Sequence, residues 1–596
     1  MVGTYASLAV ILVAAAVSGQ GLFALCGRRE WSWLSPAVGL ALLAGVAWGV
    51  LNLTDEPAAA LAAIAVLVVG GLAAWASAGE LSVPRAGVGL AVVAAAIILA
   101  SLPFAVEGRF GILGTSLNPD MSQHLFAADR LAHGAEERLI TEGYPLGPHA
   151  IVVAVSQAGP SLLQAFGGLT LAVAVAASLA ALELLGGLAR TRQVAGALLV
   201  GLAYMAVSYL IQGAFKETMQ ALFVLAFAIG LQQLAKGALG GPEPATRWRL
   251  LAAVPMATLA IGSVYTYSFP GLAWLVGAAG LWGIAELAAR RSLQPMRAAL
   301  VPGALAVGVL VVAIAPELGR IADFGSFETF DPDGDGLGNL FNAISPLEAL
   351  GIWPSGDFRL DPGAGFAPAA VFWLGGLVGL AALGFGLWWW LGRRELAVPA
   401  ALGAAAILYL YPLLVGTPYQ ESKAIAIAAP LAMLIAVRAL FEATPAVAEL
   451  RVATGRALAV PALAVAFCVP AAACSVLALA NGPVGPTEWG PGLIELRESG
   501  RLGPGGEDGH DTLIVAPEAL LVEERGEDLF LWELRGGNVC AATGPADQGF
   551  PKPPGGIENV IVYEGPEAFD LAPVADPQPG PRCPFIADGD RAEPSG

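Results

Sequence analysis

The chain has 596 residues, of which 56% are hydrophobic and only 13% are charged, and its mean hydropathy is +0.69. So little polar surface cannot cover a soluble globule of this size, which excludes an ordinary water-soluble protein and predicts that a lipid bilayer surrounds most of the chain. The net charge of −18 is concentrated outside the apolar segments, much of it in residues 331–335 and after Pro486. We therefore expect no nucleic-acid partner.

Apolar runs dominate the chain from Ala6 to Ala480. About fourteen of them have about 18 to 25 residues, enough to cross a hydrocarbon core of roughly 30 Å at about 1.5 Å per residue. The first run, Leu8 to Leu25, has no basic region before it and is followed by Arg28 and Arg29 rather than a small-residue cleavage site. We interpret it as a retained span. The pattern predicts an all-α polytopic membrane protein.

Basic residues collect in alternate connections between the runs. Cationic loops resist translocation and stay cytoplasmic, so the intervening connections and both termini are expected outside. We therefore predict a multi-pass protein of a bacterial plasma membrane, with its long loops and C-terminal domain extracytoplasmic. The basic residues that support this orientation are Arg28, Arg29, Arg85, Arg190, Arg192, Lys236, Arg247, Arg249, Arg290, Arg291, Arg297, Arg393, Arg394, Arg438, Arg451 and Arg456.

The apolar pattern divides the chain into six parts. In the tail, the β-branched runs that begin at Asp511 and Glu558 are bounded by turn residues and predict strands of a small α/β domain. The Pro- and Gly-rich end after Ala575 predicts disorder. The parts are N-terminal transmembrane helices (1–105), a first long outer loop (106–165), transmembrane helices (166–315), a second long outer loop (316–366), transmembrane helices (367–480) and the extracytoplasmic tail (481–596).

The first outer loop carries the strongest candidate for chemistry. Asn118-Pro119 is typical of a helix start, so Asp120 would lie in the first turn with His124 one turn further along the same face. A carboxylate and an imidazole would then share one site, and we predict Asp120 and His124 as catalytic residues. Tyr144 and His149, at the end of the same loop, are predicted substrate-binding residues. Alternatively, Asp120 complements the helix dipole and the histidines lie on a wet surface.

Two lysines stand at predicted outer ends of spans, Lys216 and Lys423, and each has an acid nearby in sequence, Glu217 and Glu421. A cation in hydrocarbon is costly, so such residues extend to the headgroups, form a local ion pair or serve a site. The functional hypothesis is a cationic clamp for a lipid-linked phosphate.

The second outer loop contains a partial cation-binding motif. Asp331, Asp333 and Asp335 alternate and are followed by Gly336, as at the start of a calcium loop, but the twelfth position is Asn342 rather than glutamate. We predict these carboxylates as ligands of a divalent cation, Ca²⁺, Mg²⁺ or Mn²⁺, with an acidic solvated turn as the alternative.

Farther along the same loop, Asp357 and Arg359 follow Trp353 and small residues. Aromatic, acidic and basic groups of this kind bind sugars by stacking on sugar faces and by hydrogen bonds to hydroxyls or phosphate. We therefore predict Asp357 and Arg359 as substrate-binding residues.

Many spans, a long outer loop with an acidic residue and an outer C-terminal domain resemble the GT-C superfamily of membrane glycosyltransferases, which use lipid-phosphate sugar donors. The chain is also similar to uncharacterised bacterial polytopic membrane proteins that carry related strings. The resemblance covers residues 86–480, and the strings here are Tyr144-Pro-Leu-Gly-Pro-His149, Pro354-Ser-Gly-Asp357-Phe-Arg359 and Pro418-Tyr-Gln-Glu-Ser-Lys423.

The resemblance implies a residue role at each matching position. Asp120 matches the first-loop acid, which serves the superfamily as general base or metal ligand. Lys216, Arg359 and Lys423 are then candidate phosphate contacts.

The leading hypothesis is a glycosyltransferase that takes a sugar from a polyprenyl-phosphate donor and passes it to an envelope glycan, lipid or protein. One alternative is a transporter or flippase of lipid-linked or soluble solute. Such a protein needs ionisable groups deep in the spans, and Glu183 is the clearest such residue. The other alternative is a non-catalytic envelope scaffold whose tail binds partners.

Overall fold

A computed structural model describes residues 1–79, 81–114, 120–134, 138–237, 250–291, 294–325, 336–445, 458–485, 491–498, 511–516, 532–535, 538–543, 557–565 and 568–573. Helices make up nearly all of it. Their bounds are α1 Val2–Leu25, α2 Ser35–Thr54, α3 Pro57–Ser77, α4 Ala86–Ala100, α5 Leu102–Glu107, α6 Asp120–Ala132, α7 Arg138–Thr141, α8 Gly147–Ser156, α9 Leu162–Leu185, α10 Arg190–Gly201, α11 Tyr204–Leu210, α12 Phe215–Ala235, α13 Val254–Arg290, α14 Gln294–Ile314, α15 Leu318–Phe324, α16 Ala369–Gly392, α17 Ala397–Val415, α18 Pro418–Ala443, α19 Ala459–Ala480 and α20 Pro491–Glu498, with 3₁₀ turns at Ala315–Glu317 and Pro346–Leu350.

Eleven helical stretches of the described chain are long and apolar enough to cross a membrane. They are α1, α2, α3, α9, α12, α13, Leu300–Phe324, α16, α17, α18 and α19. The pair α10 and α11, bent by 56°, adds a twelfth if it forms one broken span, and α4 and α8 are shorter apolar helices. The described residues therefore hold eleven or twelve candidate spans where the sequence predicted about fourteen, because some apolar runs form helices too short to cross a membrane. The prediction of an all-α multi-pass membrane protein is confirmed.

Small residues bring the first helices into close contact. A Cβ atom on Gly39 of α2 would overlap the backbone of Ala15 in α1, and one on Gly19 of α1 would overlap the carbonyl of Ser35. Because lipid tails are as apolar as the side chains they replace, close backbone packing rather than hydrophobic exclusion holds membrane helices together. The glycine- and alanine-rich composition serves this packing.

The long helix α13 reverses direction at Ser268, whose φ of 55° and ψ of −156° are not helical. A Cβ on Gly271 would lie 2.7 Å from Ser263 Oγ, although eight residues of straight helix would separate them by roughly 12 Å. Gln220 of α12 fastens both sides of the turn, since Ser263 Oγ donates to its Oε1 at 2.6 Å and its Nε2 donates to the Gly271 carbonyl at 2.9 Å.

The basic connections gather at one end of the bundle. Arg28, after α1, donates to Glu183 near the end of α9 at 2.6 Å, and the backbone N–H of Trp33 donates to the same carboxylate at 2.8 Å. Arg438 and Lys236, near the ends of α18 and α12, both pair with Glu395. This end therefore collects residues that the sequence predicts to be cytoplasmic, and the opposite end collects the starts of α12 and α18.

Replacing Glu183 with alanine is expected to destabilise the protein, because Arg28 and the Trp33 N–H would lose a shared partner in a largely buried position. Removing one partner of a buried ion pair lowers the free energy of unfolding by roughly 3 to 5 kcal/mol. Thermal unfolding in detergent should show a clear fall in midpoint for Glu183→Ala. Glu442→Ala is the matched control, since Glu442 is 30% exposed and Arg438 keeps Glu395. Equal midpoints for the two variants would contradict the assigned role.

The tail contains a four-stranded sheet of β1 Asp511–Ala516, β2 Asn538–Thr543, β3 Ile557–Gly565 and β4 Ala568–Pro573, in the order β2-β1-β3-β4. Strand β1 is parallel to β2 and β3, and β4 is antiparallel to β3. The two strands predicted from β-branched runs are therefore confirmed. The chain after Ala575 lies outside the described residues.

The start of the tail is fastened to the first loop. The Gly114 N–H donates to the Pro483 carbonyl at 3.1 Å, and the Gly485 N–H donates to the Ile112 carbonyl at 2.7 Å. This short backbone pairing joins the chain leaving α19 to the segment that precedes α6.

Candidate functional site

The predicted site residues of the first loop converge at the end of the bundle opposite the basic connections. Helix α6 begins at Asp120, as the sequence predicts, and packs on α8, which carries His149. His149 Nε2 lies 3.3 Å from His124 Nδ1, and the two side chains are almost completely buried. His124 and His149 therefore form a buried pair and do not lie on a wet surface.

Burial sets the protonation state of this pair. Loss of hydration, followed by the charges of His149, Lys216 and Lys423, holds the pKa of His124 well below its usual value. Burial and then the Arg320 guanidinium lower the pKa of His149 to about 3. Both imidazoles are therefore neutral at physiological pH.

An arginine of α15 fixes the backbone around Tyr144 by hydrogen bonds. Arg320 donates to the Ile140 and Tyr144 carbonyls, both at 2.6 Å, and its guanidinium lies 4.9 Å from the centre of the Trp48 ring. Tyr144 is 5% exposed, and its ring carries the Lys216 ammonium at 4.0 Å from the ring centre. The aromatic face stabilises the cation and fixes its position.

Lys216 and Lys423 lie close enough to interact electrostatically, and Asp120 interacts with both. Lys423 Nζ is 3.3 Å from Glu217 Oε1, and the Lys423 ammonium lies 4.3 Å from the centre of the Tyr419 ring. The N-terminal parts of α12 and α18 thus place both predicted cations within electrostatic range of the predicted catalytic carboxylate. Asp120, His124, Tyr144, His149, Lys216 and Lys423 form one cluster, the outer cluster.

The ion pairing differs from what neighbours in the sequence suggest. Glu421 does not pair with Lys423; its carboxylate accepts a hydrogen bond from Tyr409 at 3.3 Å. Lys423 instead pairs with Glu217, which lies on another helix and is 3% exposed. A residue one or two positions from a helical lysine points elsewhere, since only residues three or four apart share a face.

Asp357 and Arg359 lie in a second group. They pair with each other, with Arg359 Nη2 2.8 Å from Asp357 Oδ2, and the guanidinium lies 4.5 Å from the Phe341 ring centre. Phe358 between them packs on Tyr209, whose hydroxyl hydrogen-bonds Ser422 on α18. This pair therefore lies outside the outer cluster and connects to α18 through Phe358 and Tyr209, and its role in substrate binding stays a prediction.

The predicted cation ligands Asp331, Asp333 and Asp335 lie outside the described residues. Gly336, which follows them, packs on Thr417, and its carbonyl accepts a hydrogen bond from the Tyr419 N–H at 3.3 Å. The start of α18 is therefore where this loop returns to the bundle. In the described part of the chain, no group of three or more His, Cys, Asp or Glu side chains could hold a metal ion. The divalent-cation hypothesis stays a prediction.

Two further residues carry no signal in the sequence, Tyr267 within electrostatic range of the outer cluster and Glu348 within range of Asp357. Tyr267, in the turn of α13, interacts electrostatically with Glu217 and Lys423. Glu348 is 1% exposed, and burial keeps its pKa well above the usual value. The turn of α13 could be recognised from Pro270, but neither the position of Tyr267 nor the burial of Glu348 follows from local pattern.

Chemically, the outer cluster joins a carboxylate, two ammonium groups and a neutral imidazole pair at one end of an apolar bundle. Its cations can balance the negative charge of a phosphate, and its carboxylate can accept a proton. The cluster includes residues at the N-terminal parts of α12 and α18, which are long and apolar enough to cross a membrane.

No protein-family model matches the chain, and no curated protein matches its sequence. Among solved structures, the chain is similar to the cryo-EM structure of the arabinofuranosyltransferase AftD from Mycobacteria, with 17% sequence identity and a TM-score of 0.44. The match covers 74% of this chain and 30% of that one, so the chain spans less than a third of the length of that protein. Similarity at this level does not assign the chain to a family.

Proposed function

We propose that this chain is a membrane glycosyltransferase of GT-C type, which moves a sugar from a polyprenyl-phosphate donor to an extracytoplasmic glycan, lipid or protein of the cell envelope. The observation that supports it is that Asp120 lies within electrostatic range of Lys216 and Lys423 at one end of the bundle. A carboxylate and two cations at this end of the bundle fit a phosphate leaving group and an acceptor hydroxyl.

In the proposed reaction, the acceptor oxygen attacks the anomeric carbon while its proton passes to the Asp120 carboxylate. The bond between the anomeric carbon and the phosphate oxygen breaks, and its electron pair leaves with the phosphate. Lys216 and Lys423 stabilise the charge that develops on this leaving group. Asp120 acts as general base, which contributes roughly 10² to 10⁴ in rate.

The orientation of the protein follows from the two ends of the bundle. We place the Arg28 and Arg438 end in the cytoplasm and the outer cluster outside, because cationic connections are retained on the cytoplasmic side. The tail is fastened to the first loop through Gly114 and Pro483, so it would share the outer compartment with the cluster.

The alternative of a transporter receives no support from its best candidate residue. Glu183 is engaged by Arg28, by the Trp33 N–H and by Gln233, at 3.3 Å from Gln233 Nε2. The Ser32 hydroxyl also donates to it, and a carboxylate held by four partners at one end of the bundle serves the structure rather than a transmembrane path.

The proposal is tested with the full chain in proteoliposomes, supplied with polyprenyl-phosphate sugars and soluble envelope-glycan acceptors. We expect labelled sugar to appear on an acceptor, and His133→Ala to retain this activity because His133 is exposed and lies outside the outer cluster. Movement of solute or of the lipid donor across the bilayer with no glycosidic product, over a panel of donors, would overturn the proposal in favour of a transporter.

A further inference from the structure

The His124–His149 pair has a hydrogen-bond arrangement that constrains how its protons are placed. His149 Nε2 faces His124 Nδ1 at 3.3 Å, so one of these two atoms must carry the shared hydrogen. The other nitrogen of His149, Nδ1, is buried and has no hydrogen-bond partner among the described residues. The His149 ring is enclosed by the rings of Phe166 and Phe215, at centroid distances of 5.6 Å from each.

Only two neutral arrangements are available. If His124 donated from Nδ1, His149 would carry its proton on Nδ1, and a buried N–H would have no acceptor. If His149 donates from Nε2, its Nδ1 bears only a lone pair, and buried acceptors without a partner are tolerated better than buried donors. The Arg320 guanidinium, within electrostatic range of His149, opposes a second proton on this ring.

We propose that His149 is a positioning residue that donates from Nε2 to His124 Nδ1 and thereby holds His124 as the neutral tautomer with its proton on Nε2. In this state His124 is a hydrogen-bond donor to a phosphate oxygen of the ligand bound beside Lys216 and Lys423. The second half of this inference rests on the proposed function, whereas the tautomer does not.

Each group that faces the pair agrees with a neutral hydrogen-bond donor. Lys216 of α12 and Lys423 of α18 lie within electrostatic range of His124, and Arg320 of α15 lies within range of His149. These three cations oppose a further positive charge, and Asp120, one turn before His124, lies within electrostatic range of both lysines. The neutral N–H of His124 thus adds a hydrogen bond to the phosphate bound beside the two lysines without adding charge.

The tautomer is tested directly by nitrogen NMR on the full chain with ¹⁵N-labelled histidine, since the sequence has only four histidines. His124→Gln and His149→Gln assign the two signals. We expect Nε2 of both rings to show the shift of a protonated nitrogen and Nδ1 that of an unprotonated one, unchanged between about pH 5.5 and 8. A proton on His124 Nδ1, or a cationic ring within that range, would overturn the proposal.

The ligand contact is tested by binding of a polyprenyl phosphate to the purified protein. His124→Phe should weaken binding by roughly tenfold to a hundredfold, because a hydrogen bond to a charged group is lost. His124→Gln, which keeps an N–H near the position of Nε2, should retain most of the affinity. His149→Leu should weaken binding and His149→Gln should restore it, since its amide can donate to His124.

The outcomes separate the two proposals. Equal affinities for His124→Phe, His124→Gln and the unmodified protein would exclude His124 as a phosphate contact while leaving the tautomer measurement to stand or fall separately. If the protein binds polyprenyl phosphate as expected but transfers no sugar in any assay, the proposed function fails and the binding role of His124 is retained.

Discussion

Replacing Asp120 with asparagine is expected to lower sugar transfer at least about a hundredfold while leaving the affinity for the lipid-phosphate donor within a few-fold. The amide has nearly the shape of the carboxylate but cannot accept the proton of the acceptor hydroxyl. Asp120, like Glu217, lies in electrostatic range of both lysines, so its loss removes a negative charge near the phosphate and binding should not weaken. Steady-state turnover and donor binding are measured on the same preparation.

Glu107→Gln provides the matched control for this change. Glu107 ends α5 at the beginning of the same loop, and its side chain is 40% exposed. We expect this variant to transfer sugar at the normal rate. Full activity of Asp120→Asn would exclude the carboxylate as the general base, whatever the behaviour of the control.

Removing both cations of the outer cluster should have the second large effect. Lys216→Met combined with Lys423→Met is expected to weaken donor binding by roughly a hundredfold or more, since each charge-assisted contact to phosphate is worth roughly 1.5 to 3 kcal/mol. Each single substitution should weaken it by roughly tenfold, and the loss should shrink at high salt because screening weakens the contacts in the unmodified protein.

The Lys423 substitution requires its own control for folding. It leaves Glu217 buried without its cation, and an unpaired buried charge destabilises the protein irrespective of any ligand. Lys423→Met with Glu217→Gln removes the pair together and should fold normally. If this folded double variant bound the lipid phosphate as tightly as the unmodified protein, Lys423 would not contribute to phosphate binding.

Local pattern was enough to predict the membrane helices and some of the site. Long apolar runs predict membrane spans because the hydrocarbon core of the bilayer excludes polar segments. The Asn118-Pro119 motif predicts a helix start, which puts Asp120 and His124 one turn apart on one helix. The β-branched run at Asp511 corresponds residue for residue to strand β1. These features depend only on neighbouring residues, which is why they can be recognised in a single sequence.

Contacts between distant elements could not be predicted in this way. The pairing of Lys423 with Glu217 depends on how α12 and α18 pack, and the acid nearest in sequence proved the wrong partner. The enclosure of His149 by Phe166 and Phe215 likewise depends on α8, α9 and α12 meeting. The sequence predicted His149 as a substrate-binding residue with a wet surface as the alternative, and its burial excludes that alternative for His149.

The measurement that tests the account most directly is a density map of the full chain with a non-transferable polyprenyl-phosphate sugar analogue. We expect phosphate density between Lys216 and Lys423, with the anomeric carbon facing the Asp120 carboxylate and the polyprenyl chain running into the bilayer. Density for the phosphate at the opposite end of the bundle, beside Arg28 or Arg438, would contradict it.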